Sequence, residues 1–100
     1  MSTDRELLEL AAKAAGIDGF FVDAGLNAGS NALPKVWNPL TDDGDEARLE
    51  GMLCFDVMWG MASVTVDSCT ERYNDHGGDK QKARRFAGVR AAAEIGRATP

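Results

Sequence analysis

The chain has 100 residues, 44% of them hydrophobic and 27% charged, a composition that fits one folded domain with its own core and excludes intrinsic disorder. A formal net charge of -5 repels polyanions and anionic membrane surfaces, so non-specific nucleic-acid binding is disfavoured. The two cysteines, Cys54 and Cys69, fall far short of a disulfide framework and are expected as free, buried thiols.

The first residues, Met1-Ser2-Thr3-Asp4-Arg5-Glu6, lack the basic start and apolar run of a signal peptide. No apolar stretch approaches the roughly 20 residues that span a bilayer. A cytoplasmic location without membrane attachment is therefore expected.

Thr3 followed by Glu6 is a capping box, and a helix begins there on this reading. Leu7, Leu8, Ala11, Ala14 and Ala15 recur at helical spacing, while Arg5, Glu9 and Lys13 face away. Gly16 supplies a left-handed C-terminal cap and Ile17 packs back on the helix. Asp18-Gly19 signals a turn, and Phe20, Phe21 and Val22 read as a strand. The Gly-, Asn- and Ser-rich stretch from Ala24 to Leu33 is expected as an exposed loop joining that strand to Lys35-Val36-Trp37 in a hairpin.

Pro39 holds Asn38 extended, and a second helix is placed from Thr41, favoured by Asp42, Asp43 and Asp45 in its first turn. Its apolar face is read as Ala47, Leu49, Met52 and Leu53, ending near Cys54. The period then changes to two. Phe55, Val57 and Trp59 alternate with Asp56 and Met58, and Val64 and Val66 alternate with Ser63, Thr65 and Asp67, giving two strands that turn near Gly60. A further strand from Cys69 to Tyr73 completes a meander, closed by the loop Asn74-Asp75-His76-Gly77-Gly78. Asp79 caps the last helix, whose stripe is Ala83, Phe86, Val89, Ala93 and Gly96. The fold class is therefore α+β, with three helices and a mainly antiparallel sheet of about four strands in the order α-β-β-α-β-β-(β)-α.

Three segments carry a resemblance across the whole chain. They are Thr3-Asp4-Arg5-Glu6-Leu7-Leu8-Glu9-Leu10-Ala11-Ala12-Lys13-Ala14-Ala15-Gly16, then Trp37-Asn38-Pro39-Leu40-Thr41-Asp42-Asp43-Gly44-Asp45 with Arg48-Leu49, and Val89-Arg90-Ala91-Ala92-Ala93-Glu94-Ile95-Gly96-Arg97-Ala98. Together they resemble the phage ABA sandwich domain family, small proteins of tailed bacteriophages and prophages. The resemblance implies an α/β/α sandwich working in the cytoplasm of an infected host, and implies no activity. The stretch from Cys54 to Gly78 departs most from the family's pattern.

The densest carboxylate cluster, Asp42, Asp43, Asp45 and Glu46, has the oxygen ligands a divalent cation wants, but its spacing is wrong for a calcium loop. Placement in a first turn explains it through the helix dipole, at about 0.3–1 kcal/mol per carboxylate. His76 is the sole histidine and has no partner identifiable from the sequence. A cysteine nucleophile needs a nearby base, and neither thiol has one in view. Gly77-Gly78 before a helix resembles an anion cradle, but no phosphate-loop pattern is present and Asp75 and Asp79 would repel the anion. No catalytic residue, metal ligand or cofactor is assigned.

The last helix carries Lys80, Lys82, Arg84, Arg85, Arg90 and Arg97, read first as a solvated face that pairs with the acidic helix near Asp42. Among large apolar groups Trp59 is read as core, whereas Met58, opposite to it in parity, is the candidate for exposure. The expected function is a protein-interaction module that binds a host or phage protein, with Trp37, Met58, Met61, Arg84 and Arg85 as its surface and homodimerisation open to so small a fold. Two alternatives stand beside it: a small metal-dependent hydrolase using His76 with Asp75 or Asp42, and nucleic-acid binding by the basic last helix.

Overall fold

Thr3 takes extended geometry and its Oγ1 accepts the Glu6 amide at 3.1 Å, so the first helix, α1 (Asp4–Ala15), starts at its capping box. Gly16 ends it at φ 71, with Ile17 N–H donating to Ala12 O at 2.9 Å and Gly16 N–H to Lys13 O at 3.3 Å. That pair of bonds is the Schellman closure that satisfies the last carbonyls. The computed structural model describes residues 3–17, 20–22, 25–27 and 36–98.

Three short strands follow: β1 (Phe20–Val22), β2 (Gly25–Asn27) and β3 (Val36–Trp37), antiparallel in the order β1-β2-β3. Phe21 pairs with Leu26, and Leu26 in turn with Trp37. This corrects the expected hairpin, because β2 lies within the stretch read as loop and separates Phe20–Val22 from Val36–Trp37. The remainder of that loop, the Asp18-Gly19 turn and Lys35 lie outside the described residues.

The segment Trp37-Asn38-Pro39-Leu40 folds tightly onto the start of α2 (Asp43–Leu53). Trp37, Pro39 and Leu40 are buried, and Asn38 bonds the chain on three sides. Its N–H donates to Asp45 Oδ2 at 3.0 Å, its Oδ1 accepts Leu40 N–H at 3.0 Å, and its backbone oxygen accepts Asp42 N–H at 2.9 Å. The N-cap is Asp42, one residue after the expected Thr41, and its side chain accepts from Asp45 N–H at 2.9 Å. Cys54 closes the helix at φ 56, a left-handed position where a residue with a Cβ is strained.

Three more strands form a second antiparallel sheet in the order β4-β5-β6: β4 (Val57–Trp59), β5 (Ser63–Val66) and β6 (Cys69–Arg72). The expected meander is present, and its register, which the sequence left open, places Met58 opposite Thr65 and Thr65 opposite Thr70. Asp67, at φ 55, makes the two-residue turn between β5 and β6. A 3-10 turn, Tyr73–His76, then leads to α3 (Lys80–Ala98), where Lys82 N–H donates to Asp79 Oδ1 at 3.0 Å as the expected cap. The class is α+β, but the described strands lie in two sheets of three rather than one of about four.

The last helix is central. It packs on α1, α2, β5 and β6, so Ala87, Gly88, Val89, Ala91, Ala92 and Ala93 are buried on more than one side of it. Small residues are needed there because neighbours approach closely. At Gly96 an added Cβ would overlap the Leu10 carbonyl of α1. The larger core joins Leu8, Ala11, Trp37, Leu40, Leu49 and Val89, and a smaller one joins Val64, Tyr73 and Ala83 under the second sheet.

Candidate functional site

Polarity alone misplaces the inward face of α2. Ala47 and Met52 are exposed, while Asp45, Glu46, Leu49 and Glu50 are buried. Arginines of α3 make this affordable. Arg84 donates to Glu50 from Nε at 3.0 Å and from Nη2 at 2.6 Å, and its Nε lies 3.5 Å from Glu46 Oε2. Arg85 donates to Leu40 O at 2.8 Å and to Asp43 at 2.6 Å. Both arginines proposed as interaction surface are thus engaged within the chain, and the expected pairing with the acidic helix is what they do.

Glu46 is only 1% exposed and its Oε1 has no hydrogen-bond partner among the described residues. Burial, then its hydrogen bond with Glu50 and the charge of Glu50, push its carboxyl up to about 9, with Arg84 opposing. It is a neutral acid at physiological pH. Burial pushes Glu50 up as well, yet the Arg84 hydrogen bonds and the Glu46 proton outweigh that and hold it below the ordinary carboxylate value. The unpartnered oxygen abuts the backbone of α3 at Gly88, where any Cβ would overlap it. A raised and a lowered carboxyl side by side resemble an acid and base pair. Here the raised one is buried and faces the α3 backbone at Gly88, so the pair forms part of the α2–α3 packing.

His76 does meet a carboxylate, but not Asp75 or Asp42: its Nε2 lies 2.7 Å from Glu71 Oε1. Its ring centroid is 4.9 Å from that of Phe86, and Arg90 pairs with the same Glu71. Burial and the charge of Lys82 lower the His76 pKa, while Asp75 and Asp79 oppose them. This cluster ties the 3-10 turn and β6 to α3. Among the described residues no three His, Cys, Asp or Glu side chains are placed to hold a metal ion.

The predicted apolar surface divides. Trp37, proposed as surface, is 6% exposed inside the larger core. Met58 and Met61 are 69% and 101% exposed, as expected of Met58 from its parity. Trp59, read as core, is 48% exposed, with the Arg84 guanidinium 6.0 Å from its ring centroid. The cause is position. α3 lies across β5 and β6, so the inward-facing Trp59 on β4 sits at the margin of the helix layer. Of the thiols, Cys69 is buried as expected but Cys54 is exposed, because it occupies the helix cap rather than the core.

The second sheet has two unlike edges. In β4, Asp67 N–H bonds Asp56 O at 2.9 Å and Gly60 N–H bonds Ser63 O at 2.8 Å, so residues 56, 58 and 60 face β5. Val57 and Trp59 therefore direct their N–H and C=O groups outward. From Val57 to Ala62 this edge carries no charge. Along β6, by contrast, Glu71 and Arg72 are charged and Arg90 donates to Thr70 O at 3.3 Å. Among the described residues, charged side chains protect β6 from added strands and none does so at β4.

No helix among the described residues is long and apolar enough to cross a membrane. No family model, curated protein or solved structure matches the chain.

Proposed function

We propose that this chain is a non-enzymatic protein-interaction module whose contact element is the open edge of β4 with Met58, Trp59 and Met61. The observation that carries the reading is the combination, on one strand, of outward backbone groups and large exposed apolar side chains on both faces. Strand addition uses such an edge, with main-chain bonds for affinity and side chains for selection. The phage ABA sandwich resemblance belongs to the same proposal, and with it the sandwich layering and a place in the infected host cytoplasm. Nucleic-acid binding is less well supported, because Arg84, Arg85, Arg90 and Arg97 each pair with a carboxylate of the chain.

A comparison of tagged wild type with Met58→Lys, purified from infected or prophage-bearing cells, tests the reading. A protein retained in stoichiometric amount by wild type and lost by the variant is the expected result. Equal retention by both would remove β4 as the contact element.

One observation favours a second reading, hydrolysis through His76: its 2.7 Å bond to Glu71. Activity on a panel of ester and phosphoester substrates that disappears in His76→Ala, while the circular dichroism spectrum at the assay temperature is unchanged, would establish it. An inactive wild type sets it aside.

A further inference from the structure

An unprotected edge strand in an acidic protein raises the question of what covers it. The strand is short, and Val57 to Ala62 contains no lysine, proline or inward charge of the kind that usually discourages pairing. The outer face of the same sheet is a poorer contact, because Thr65 and Thr70 satisfy each other through their hydroxyls at 2.7 Å and Arg72 stands beside them. Attraction is therefore concentrated at the β4 margin.

The register of that margin is self-complementary. If two β4 edges run antiparallel about a twofold axis at Met58, Val57 of each chain opposes Trp59 of the other. Both residues point their backbone groups outward, so the two pairs exchange four hydrogen bonds. The side chains agree with the backbone. Met58 meets Met58 on the outer face at a Cβ separation of about 4.5–5.5 Å, and Trp59 meets Val57 on the inner face. Asp56 then falls opposite Gly60, so the nearest charges on the two acidic chains do not oppose each other. α3 of each copy packs chiefly on β5 and β6; on the inner face of β4, Val57 is partly buried against the smaller core, whereas Trp59 is 48% exposed beside Arg84 and is the side chain left to meet the second copy.

We propose that the β4 edge pairs with the β4 edge of a second copy of this chain, joining two three-stranded sheets into one of six strands. The inference rests on the reading of β4 as the contact element and names its occupant.

Sedimentation equilibrium of the full chain across the micromolar range tests it. Wild type is expected at twice the single-chain mass of 10.7 kDa. Met58→Lys and Met58→Glu should each sediment at the single-chain mass, since each places like charges across the axis. Met58 is exposed, so both variants should keep the wild-type circular dichroism spectrum. An equimolar mixture of the two should recover the doubled mass, a rescue that a folding defect would not give. Wild type at the single-chain mass throughout overturns the second copy as occupant. If a cellular protein is nevertheless lost from Met58→Lys, β4 remains the contact element with a different partner. A doubled mass that both variants retain overturns the proposed pairing and places the interface elsewhere.

Discussion

The Glu46 carboxyl of α2 occupies the space that a side chain at position 88 of α3 would need, and an added Cβ at Gly88 would overlap its Oε1. Glu46 is buried and its Oε1 has no partner among the described residues, so the α2–α3 contact is set by an acid held against bare backbone. The helix approach, the neutral state of Glu46 and the bidentate Arg84–Glu50 pair are parts of one arrangement.

Gly88→Ala is expected to destabilise the fold by roughly 1–3 kcal/mol through overpacking. Glu46→Ala in the same chain removes the obstructing carboxyl, so the double variant should lose less than the sum of the two single losses. Chemical denaturation of the four proteins measures the coupling. Strict additivity would mean that the two residues do not share this space.

Stability should depend on pH in a defined direction. The ordinary value of Glu46 is 4.5 and its folded value about 9, so the folded chain keeps a proton that the unfolded chain has released across that window. Its contribution is complete below 4.5 and declines as pH rises toward 9. Glu50, lowered in the fold, contributes the opposite way, and its share is lost as pH falls below 4.5. Glu46→Gln should flatten the alkaline decline and gain roughly 1–3 kcal/mol over wild type at pH 8, read as the difference between two melting-temperature profiles. Parallel profiles would show that Glu46 ionises normally.

Arg84→Met should cost roughly 2–5 kcal/mol, since it leaves Glu50 buried and charged without its partner. Adding Glu50→Gln should restore part of that loss, because the uncompensated charge is then gone. Urea midpoints of the single and double variants decide this.

Cys54→Gly should stabilise by up to about 1 kcal/mol. Relief of the left-handed strain at φ 56 exceeds the added freedom of the unfolded chain. Thermal unfolding under reducing conditions measures it without interference from the exposed thiol.

Local signals in the sequence placed most elements. Thr3, Gly16 and Asp79 cap helices as their residue types require, and the two-residue period from Val57 to Val66 gives the strands their faces. The strand at Gly25–Asn27 was hidden by composition, because glycine and asparagine favour loops and pairing with β1 and β3 overrides that preference. The inward face of α2 was hidden for another reason. Glu46 and Glu50 read as solvent-facing until Arg84, 34 positions beyond Glu50, comes to meet them. Met58 was legible from parity alone. Trp59 was not, since an inward direction gives burial only where a helix lies above the strand.

The most direct test of β4 as the contact element is amide hydrogen exchange resolved at Val57, Met58 and Trp59 as chain concentration is raised. Met58 N–H faces β5 and should be protected at every concentration. Val57 and Trp59 amides should exchange freely in dilute solution and become protected as a second copy adds to the edge. Association accompanied by unchanged exchange at Val57 and Trp59 would contradict the assignment of β4 as the contact element.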